Sequence, residues 1–212
     1  MRKLESAMKN PILFHPKKGE LLPIMIDIET LATTPGAVVL SIGAVLVDRP
    51  DQKFHVGIDL LDSLEMGGIV DPSTAGWWKG HREAWCSEMS PAEETTVAGA
   101  LTMLAEWIAR QASAAGVELE AVRFWSKGAF DYDLLEWWFH RVLRSPAPWR
   151  YWQIRDYRTW AELHSDFPLP DLEPGEVAHG ALADAKRQAK HMRLAMVRRE
   201  RERVEGEVIS VE

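Results

Sequence analysis

Two carboxylates stand inside a strand-like segment near the start of the chain. Asp27 and Glu29 belong to the run Ile24-Met25-Ile26-Asp27-Ile28-Glu29, whose other residues are typical of a buried strand. Side chains alternate across a strand, so both carboxylates point to one face, with their Cα atoms about 7 Å apart. Burying two unpaired carboxylates costs several kcal/mol for each ion, so solvent or a divalent cation must offset their charge. A half-exposed acidic strand is the simpler interpretation, and a metal site needs further oxygen ligands.

A third carboxylate opens a helical segment in the middle of the sequence. Asp131 lies in FDYDLLEWWFHRVL and shares its i, i+3, i+4, i+7 spacing with Leu134, Leu135 and Trp138, which predicts that Asp131 faces inward. Asp133 is offset from it by about 200° and is predicted to face outward. A helix N-cap is the alternative role for Asp131.

A histidine and a fourth carboxylate follow a proline-rich loop. His179 and Asp184 are five residues apart, which on a helix places their side chains about 140° from each other. They converge only if His179 lies on the loop and Asp184 lies in the first helical turn, and Gly180 permits that arrangement. An exposed loop histidine and an acid favourably placed at a helix N-terminus are the alternatives.

Together the three segments resemble the DEDDh 3′–5′ exonucleases, the DnaQ-like group of the ribonuclease H-like fold. The matching motifs are D-I-E at 27–29, F-D at 130–131 and H-x-x-x-x-D at 179–184, in the family's order. A compact bacterial and phage subgroup of exoribonucleases is closer still. Its likeness covers roughly residues 23–195 and is carried by DIETLATTPGAVVLSIGAV, the Trp77-Trp78 pair, WSKGAFD and RDYRT. The sequence departs from the family's pattern in two places. The second motif is one residue shorter than usual, which makes Asp133 the fallback ligand, and Ala32 stands where the subgroup often has a glycine.

The resemblance implies a two-metal exonuclease. Its metal ligands would be Asp27, Glu29, Asp131 and Asp184, holding two Mg²⁺ or Mn²⁺ ions that activate a water and stabilise the leaving oxygen. His179 would take the proton from that water. The main chain of Thr30 and the side chain of Leu31 would hold the terminal nucleotide.

The expected substrates are RNA or DNA 3′ ends, single-stranded or overhanging, and the expected products are nucleoside 5′-monophosphates. The alternative is a catalytically weak or inactive module that retains the metal cluster and binds nucleic acid or protein. An endonuclease of the wider ribonuclease H-like fold is a second rival, although His179 and the Thr30-Leu31 pair favour recognition of an end. Homodimers are common among the small relatives, so a homodimer is one option, although the sequence itself does not determine the oligomeric state.

The elements that must position these residues form an α/β pattern. Three strands at 24–28, 38–47 and 53–59 are predicted to form an antiparallel meander, in which the short link at 48–52 makes the second and third strands antiparallel neighbours. Helices then alternate with single strands. The first is a short helix that carries Trp77 and Trp78 and is capped by Ser73 or Thr74. The elements after it are a helix at 91–113, a strand at 121–125, a helix at 131–143, a strand at 151–155, a short helix at 159–164 and a helix at 181–205. This pattern predicts a mixed five-stranded sheet with helices on both faces, and the resemblance implies that the sheet is ribonuclease H-like.

Length and composition predict one domain with short ends. The 212 residues divide into an irregular N-terminal extension at 1–22, an exonuclease domain at 23–205 and a tail at 206–212. The net charge of −7 requires any nucleic-acid contact to be local or metal-assisted. A local basic rim could be added by Arg123, Lys127, Arg155, Arg158, Lys186 and Arg187, and ordinary surface solvation is the default interpretation for each of them.

Other features of the composition bear on location and on the tryptophans. Cys86 is the only cysteine, which excludes an internal disulfide. No segment is apolar enough for a signal peptide or a membrane span, so a cytoplasmic protein without membrane contact is expected. Most of the ten tryptophans are expected in the core, and base stacking is the alternative.

Overall fold

The chain folds around a mixed sheet. In the computed structural model, residues 21–89 and 94–209 are described. The strands are β1 (Leu22–Thr30), β2 (Val39–Leu46), β3 (Lys53–Ile58), β4 (Glu94–Thr95), β5 (Val122–Ser126) and β6 (Ile154–Asp156), in the spatial order β4-β3-β2-β1-β5-β6. The pairs β1–β2 and β2–β3 are antiparallel, whereas β3–β4, β1–β5 and β5–β6 are parallel. The predicted α/β class and the antiparallel meander are confirmed.

The sheet has one strand more than predicted. β4 contains only Glu94 and Thr95, which pair with Gly57 and Ile58 at the edge of the sheet. Two residues are too few to produce a period-two pattern, so this strand left no signal in the sequence.

Helices cover both faces of the sheet, as predicted. They are α1 (Leu60–Glu65), α2 (Pro72–Lys79), α3 (Arg82–Glu88), α4 (Val97–Ala115), α5 (Phe130–Trp138), α6 (Tyr157–Leu163) and α7 (Ala181–Ile209). One-turn segments lie at Leu119–Ala121, Phe139–Leu143 and Tyr151–Gln153. The larger core joins Ile24, Ile26 and Ile28 of β1 to α4 and α5, and a second core joins Met25 and Val45 to α6 and α7. Asp27 and Glu29 share the face of Met25, so they lie on the side that α7 covers.

A glycine in β2 lets α7 approach the sheet closely. A Cβ built on Gly43 would lie 2.3 Å from the backbone nitrogen of Leu182 and 2.4 Å from the carbonyl carbon of Ala181. Gly43 is the partner of Asp27 in the β1–β2 register. The first turn of α7 therefore rests on the sheet beside Asp27, a position that any side chain at residue 43 would block.

Several predicted boundaries are wrong in detail. The cap of α2 is Asp71, whose carboxylate accepts hydrogen bonds from the backbone N–H groups of Ser73 and Thr74, so neither of those residues is the cap. α7 continues through Gly206 to Ile209, because one glycine costs a helix only about 1 kcal/mol.

The predicted division into domain and ends remains a prediction. β1 begins at Leu22, and residues 1–20 and 210–212 lie outside the described residues. Within the described ranges, no helix is both long and apolar enough to span a bilayer.

Candidate active site

Three of the predicted metal ligands meet beneath the first turn of α7. Carboxylate oxygens of Asp27, Glu29 and Asp184 lie within 4.8 Å of one another. The strand supplies the first two from alternate positions, and α7 brings the third to them across Gly43. Asp27 is only 8% exposed, so it is buried rather than half-exposed to solvent, as the simpler interpretation of the sequence had it.

The cluster is electrostatically unfavourable without a cation. Burial, reinforced by the charges of Asp131 and Asp184, raises the pKa of Asp27 well above its usual range. Burial and the charge of Asp27 raise the pKa of Glu29 to about 10. Burial also raises the pKa of Asp184, although His179 opposes that effect. Buried oxygen donors that resist ionisation in the free protein are a donor set suited to a hard divalent cation, whose charge would reverse these shifts.

Asp131 reaches the same place from the other side of β1. Parallel pairing of β1 with β5 stops at Met25, and the Oδ1 atom of Asp131 accepts the N–H of Ile28 at 3.1 Å beyond that point. This bond holds the carboxylate beside the backbone between Asp27 and Glu29. Burial raises the pKa of Asp131 to about 7, against the opposing effect of its hydrogen bonds. Asp133 is exposed, as predicted, and Ala129 rather than Asp131 occupies the N-cap position of α5.

His179 lies on the loop and Asp184 lies in the first turn of α7, the arrangement that the five-residue spacing requires. The backbone of His179 adopts a left-handed φ of 63° and its N–H bonds to the carboxylate of Asp184. Burial lowers the pKa of His179, while the charge of Asp184 opposes that change. The imidazole is therefore neutral at neutral pH and able to accept a proton.

An aromatic cluster that the sequence did not predict contacts His179. Trp77 and His81 stack with ring centroids 3.8 Å apart, and the His81 Nδ1 atom lies 2.9 Å from the Trp77 carbonyl oxygen. The His179 ring meets both edge-on, at 4.8 Å from Trp77 and 5.1 Å from His81. Most of the tryptophans are predicted to lie in the core, but of this pair only Trp78 is buried, whereas Trp77 is 41% exposed. The signal that could have found His81 is its i+4 spacing from Trp77.

Three further polar residues surround the acids. Gln188, one turn after Asp184 on α7, donates from Nε2 to Oδ1 of Asp27 at 3.0 Å. Lys127 is exposed on the β5–α5 loop, and its charge lowers the pKa of Asp27, Asp131 and Asp184 against the effect of burial. Glu88 of α3 is buried, accepts a hydrogen bond from the Ser41 hydroxyl and adds to the negative charge at Glu29. The i, i+4 spacing from Asp184 was the only sequence signal for Gln188, and Glu88 had none.

A cavity of about 450 Å³ opens next to Glu29. It is lined by Ile28, Glu29, Thr30, Thr33, Ser73, Thr74, Trp77, Trp78 and Phe130. The carbonyl oxygen of Thr30 accepts the indole N–H of Trp78 at 2.9 Å, which fixes this stretch of main chain. Leu31 is not part of this lining, because its side chain is 5% exposed and packs with Val38, Leu40, Trp78 and Ala84. The nucleotide-holding role of Thr30 and Leu31 stays a prediction.

Comparison with known proteins settles the family. A model of the Rv2179c-like 3′–5′ exoribonuclease domain matches residues 23–196. The chain belongs to the Rv2179c-like 3′–5′ exoribonuclease domain family. The predicted membership of the DEDDh exonucleases is confirmed. No curated protein sequence matches the chain.

Solved structures of nucleases share the fold of this Rv2179c-like domain. Cell-death related nuclease 4 (CRN-4) superposes with a TM-score of 0.54 at 12% identity, over 84% of this chain and 64% of that one. The zinc-bound Escherichia coli ExoI–ssDNA complex gives 0.53 at 14% identity, over 86% and 42% of the two chains. Product-bound exonuclease I gives 0.50 at 13% identity, over 86% and 45%. This chain therefore spans less than two thirds of each of these structures, and the likeness concerns the fold.

Proposed function

We propose that this Rv2179c-like domain removes nucleotides one at a time from the 3′ end of single-stranded or 3′-overhanging nucleic acid by two-metal-ion hydrolysis. The observation that carries the proposal is the convergence of Asp27, Glu29 and Asp184 within 4.8 Å, beside His179. Asp131 joins them through the backbone of Ile28. Two buried and two half-buried carboxylates repel one another in this place unless cations neutralise them.

The carboxylates fit two Mg²⁺ or Mn²⁺ ions. Asp27, Glu29, Asp131 and Asp184 would hold them, and their four negative charges balance the four positive charges of the ions. When bound, the ions lower the pKa of a water and stabilise charge on the scissile phosphate. Gln188 keeps the Asp27 carboxylate in one orientation through its hydrogen bond, leaving the second oxygen of that carboxylate for a cation.

His179 is the proposed general base. Its ring is neutral because burial lowers its pKa, so it accepts the proton of the attacking water as the water oxygen adds to phosphorus. The bond from phosphorus to the 3′ oxygen of the preceding nucleotide breaks, that oxygen leaves with the electron pair and is protonated from solvent, and a nucleoside 5′-monophosphate results. Trp77 and His81 restrict the imidazole to the side of the acids.

The cavity beside Glu29 is the proposed place of the terminal nucleotide. Its wall carries the Thr30 main chain and the exposed face of Trp77, which suit a ribose and a base respectively. Leu31 supports this wall from beneath, where it packs against Trp78.

A product ladder tests the proposal. Matched RNA and DNA oligonucleotides with a 5′ label should shorten stepwise from the 3′ end in Mn²⁺ or Mg²⁺ and remain intact in EDTA. A circular single strand should also remain intact, and the released product should co-migrate with a nucleoside 5′-monophosphate. Cleavage of the circle would show an endonuclease. A linear strand that stays uncleaved, although Mn²⁺ still raises the melting temperature of the protein, would show an inactive module.

A further inference from the structure

A mostly apolar groove with four arginines among its lining residues lies at the end of β1 that is remote from the acidic cluster, and we call it the arginine groove. The groove has a volume of about 680 Å³ and lies against the outer half of α7. Its apolar lining consists of Leu21, Pro23, Val47, Trp125, Met196 and Val197, and its charged lining consists of Arg123, Arg155, Arg193, Arg199, Asp48 and Glu200. It shares no residue with the candidate active site.

Two of the arginines are held firmly on neighbouring strands. Arg123 of β5 donates from Nη1 to the carbonyl oxygens of Glu120 and Val122 at 2.7 and 2.9 Å. Arg155 of β6 makes the same pair of bonds to Trp152 and Ile154, at 2.7 and 2.8 Å. Both guanidinium groups are therefore fixed at one edge of the groove before any ligand binds.

The position of these two cations is unfavourable on its own. Burial, and next the charge of Arg155, lower the pKa of Arg123. Like charges held close together by backbone hydrogen bonds cost energy that an anion between them would recover. α7 adds Arg193 and Arg199, so the lining has four arginines against two acids, a local surplus of two positive charges in a chain of net charge −7.

We propose that this arginine groove binds the body of the single-stranded nucleic acid whose 3′ end occupies the acidic cluster. The arginines would contact phosphates, and the partly exposed ring of Trp125 would stack on a base. This inference rests on the proposed function and adds a second contact area to it. Pro23 precedes Asp27 by four residues and Glu29 by six, so this end of the groove lies about 13–20 Å from the two acids along the strand. Only a substrate several nucleotides long reaches both places.

The test compares substrates of two lengths. Arg123→Gln/Arg155→Gln, and separately Arg193→Gln on the helix surface, should raise KM for a long oligonucleotide about tenfold in low salt and leave kcat unchanged. Neither variant should change KM for a dinucleotide. Since a single-strand phosphate contact contributes about 0.7 to the slope of log affinity against log salt, the double variant should lose about 1.4 of that slope. The control Arg110→Gln/Arg141→Gln removes the same charge from two exposed residues that do not line the groove, and it should have no effect.

A binding measurement separates this inference from the proposed function. Fluorescence anisotropy of a labelled long oligonucleotide in EDTA reports groove binding without cleavage, and the groove variants should weaken it while the control does not. Equal affinity of wild type and both groove variants would overturn the inference, whether or not the protein cleaves. The inference would also be overturned if the groove variants kept the KM of the wild type but lost a dimer that the wild type forms in sedimentation, because the groove would then be a surface between copies of the chain.

Discussion

Asp131→Asn should stabilise the metal-free protein while abolishing its activity. The side chain is 4% exposed and accepts the N–H of Ile28 at 3.1 Å. Asparagine keeps an oxygen in the same place, so this hydrogen bond can persist in the variant. What the substitution removes is a negative charge beside Asp27 and Glu29, which is favourable only when a cation neutralises it.

The size of the expected gain in stability follows from the pKa of Asp131. Burial raises the pKa of Asp131 from its ordinary 3.8 to about 7. For a carboxyl group with a raised pKa in the folded state, the stabilisation is complete below the unfolded pKa and is lost as the pH rises through the folded pKa. The loss thus spans pH 3.8 to about 7, and at about 1.4 kcal/mol for each pKa unit it reaches roughly 4 kcal/mol. Because Asp27 and Glu29 take up part of the proton exchange, we expect a gain of about 2–4 kcal/mol from asparagine above pH 7.

Urea unfolding in EDTA measures this difference. The free energy of unfolding of the two proteins should nearly coincide at about pH 4 and separate as the pH rises to 8, with the variant the more stable. In a thermal scan, a gain of 2 kcal/mol corresponds to about 4–8 °C for a domain of this size. Adding Mn²⁺ at pH 8 should raise the melting temperature of the wild type and leave that of the variant nearly unchanged.

A less stable variant at pH 8 in EDTA would refute this reasoning. It would mean that the carboxylate is compensated within the protein itself, by its hydrogen bonds or by Lys127, and that no cation is needed to hold the cluster together. Asp133→Asn is the matched control, since that exposed residue of the same helix should change neither stability nor activity.

Three further predictions concern neighbouring residues. His179→Ala should lower kcat on a labelled oligonucleotide by about 10²–10⁴-fold while the melting-temperature shift with Mn²⁺ persists, and loss of that shift would instead make His179 a metal ligand. Trp77→Ala should lower kcat and move the His179 imidazole resonances in NMR spectra, Trp77→Phe should restore most of both, and the exposed Trp152→Ala should change neither. Gly43→Ala should lower the free energy of unfolding in urea by about 1–3 kcal/mol and remove most of the activity, because its Cβ collides with the start of α7. The control Gly76→Ala, which has open space around it inside α2, should be neutral or stabilising. Equal changes in stability and activity in the two variants would contradict the role of Gly43.

Local patterns were sufficient to predict the main elements and the acidic residues of the site. Alternation along β1 places Asp27 and Glu29 on one face, and the periodicity of α5 turns Asp131 inward and Asp133 outward. The spacing from His179 to Asp184 predicts a loop position followed by a first-turn position, which the structure shows. Such inferences succeed because strand and helix periods fix the directions of side chains within a single element.

The sequence alone therefore determined the strand order of the meander, the direction of each carboxylate and membership of the exonuclease family. Tertiary structure decided that the acidic face of β1 is buried, because that depends on the approach of α7 over Gly43. It also decided the contacts of Gln188 with Asp27 and of Trp77 and His81 with His179. Each of these contacts joins residues on different elements, and no periodicity within one element specifies which surfaces of two elements meet.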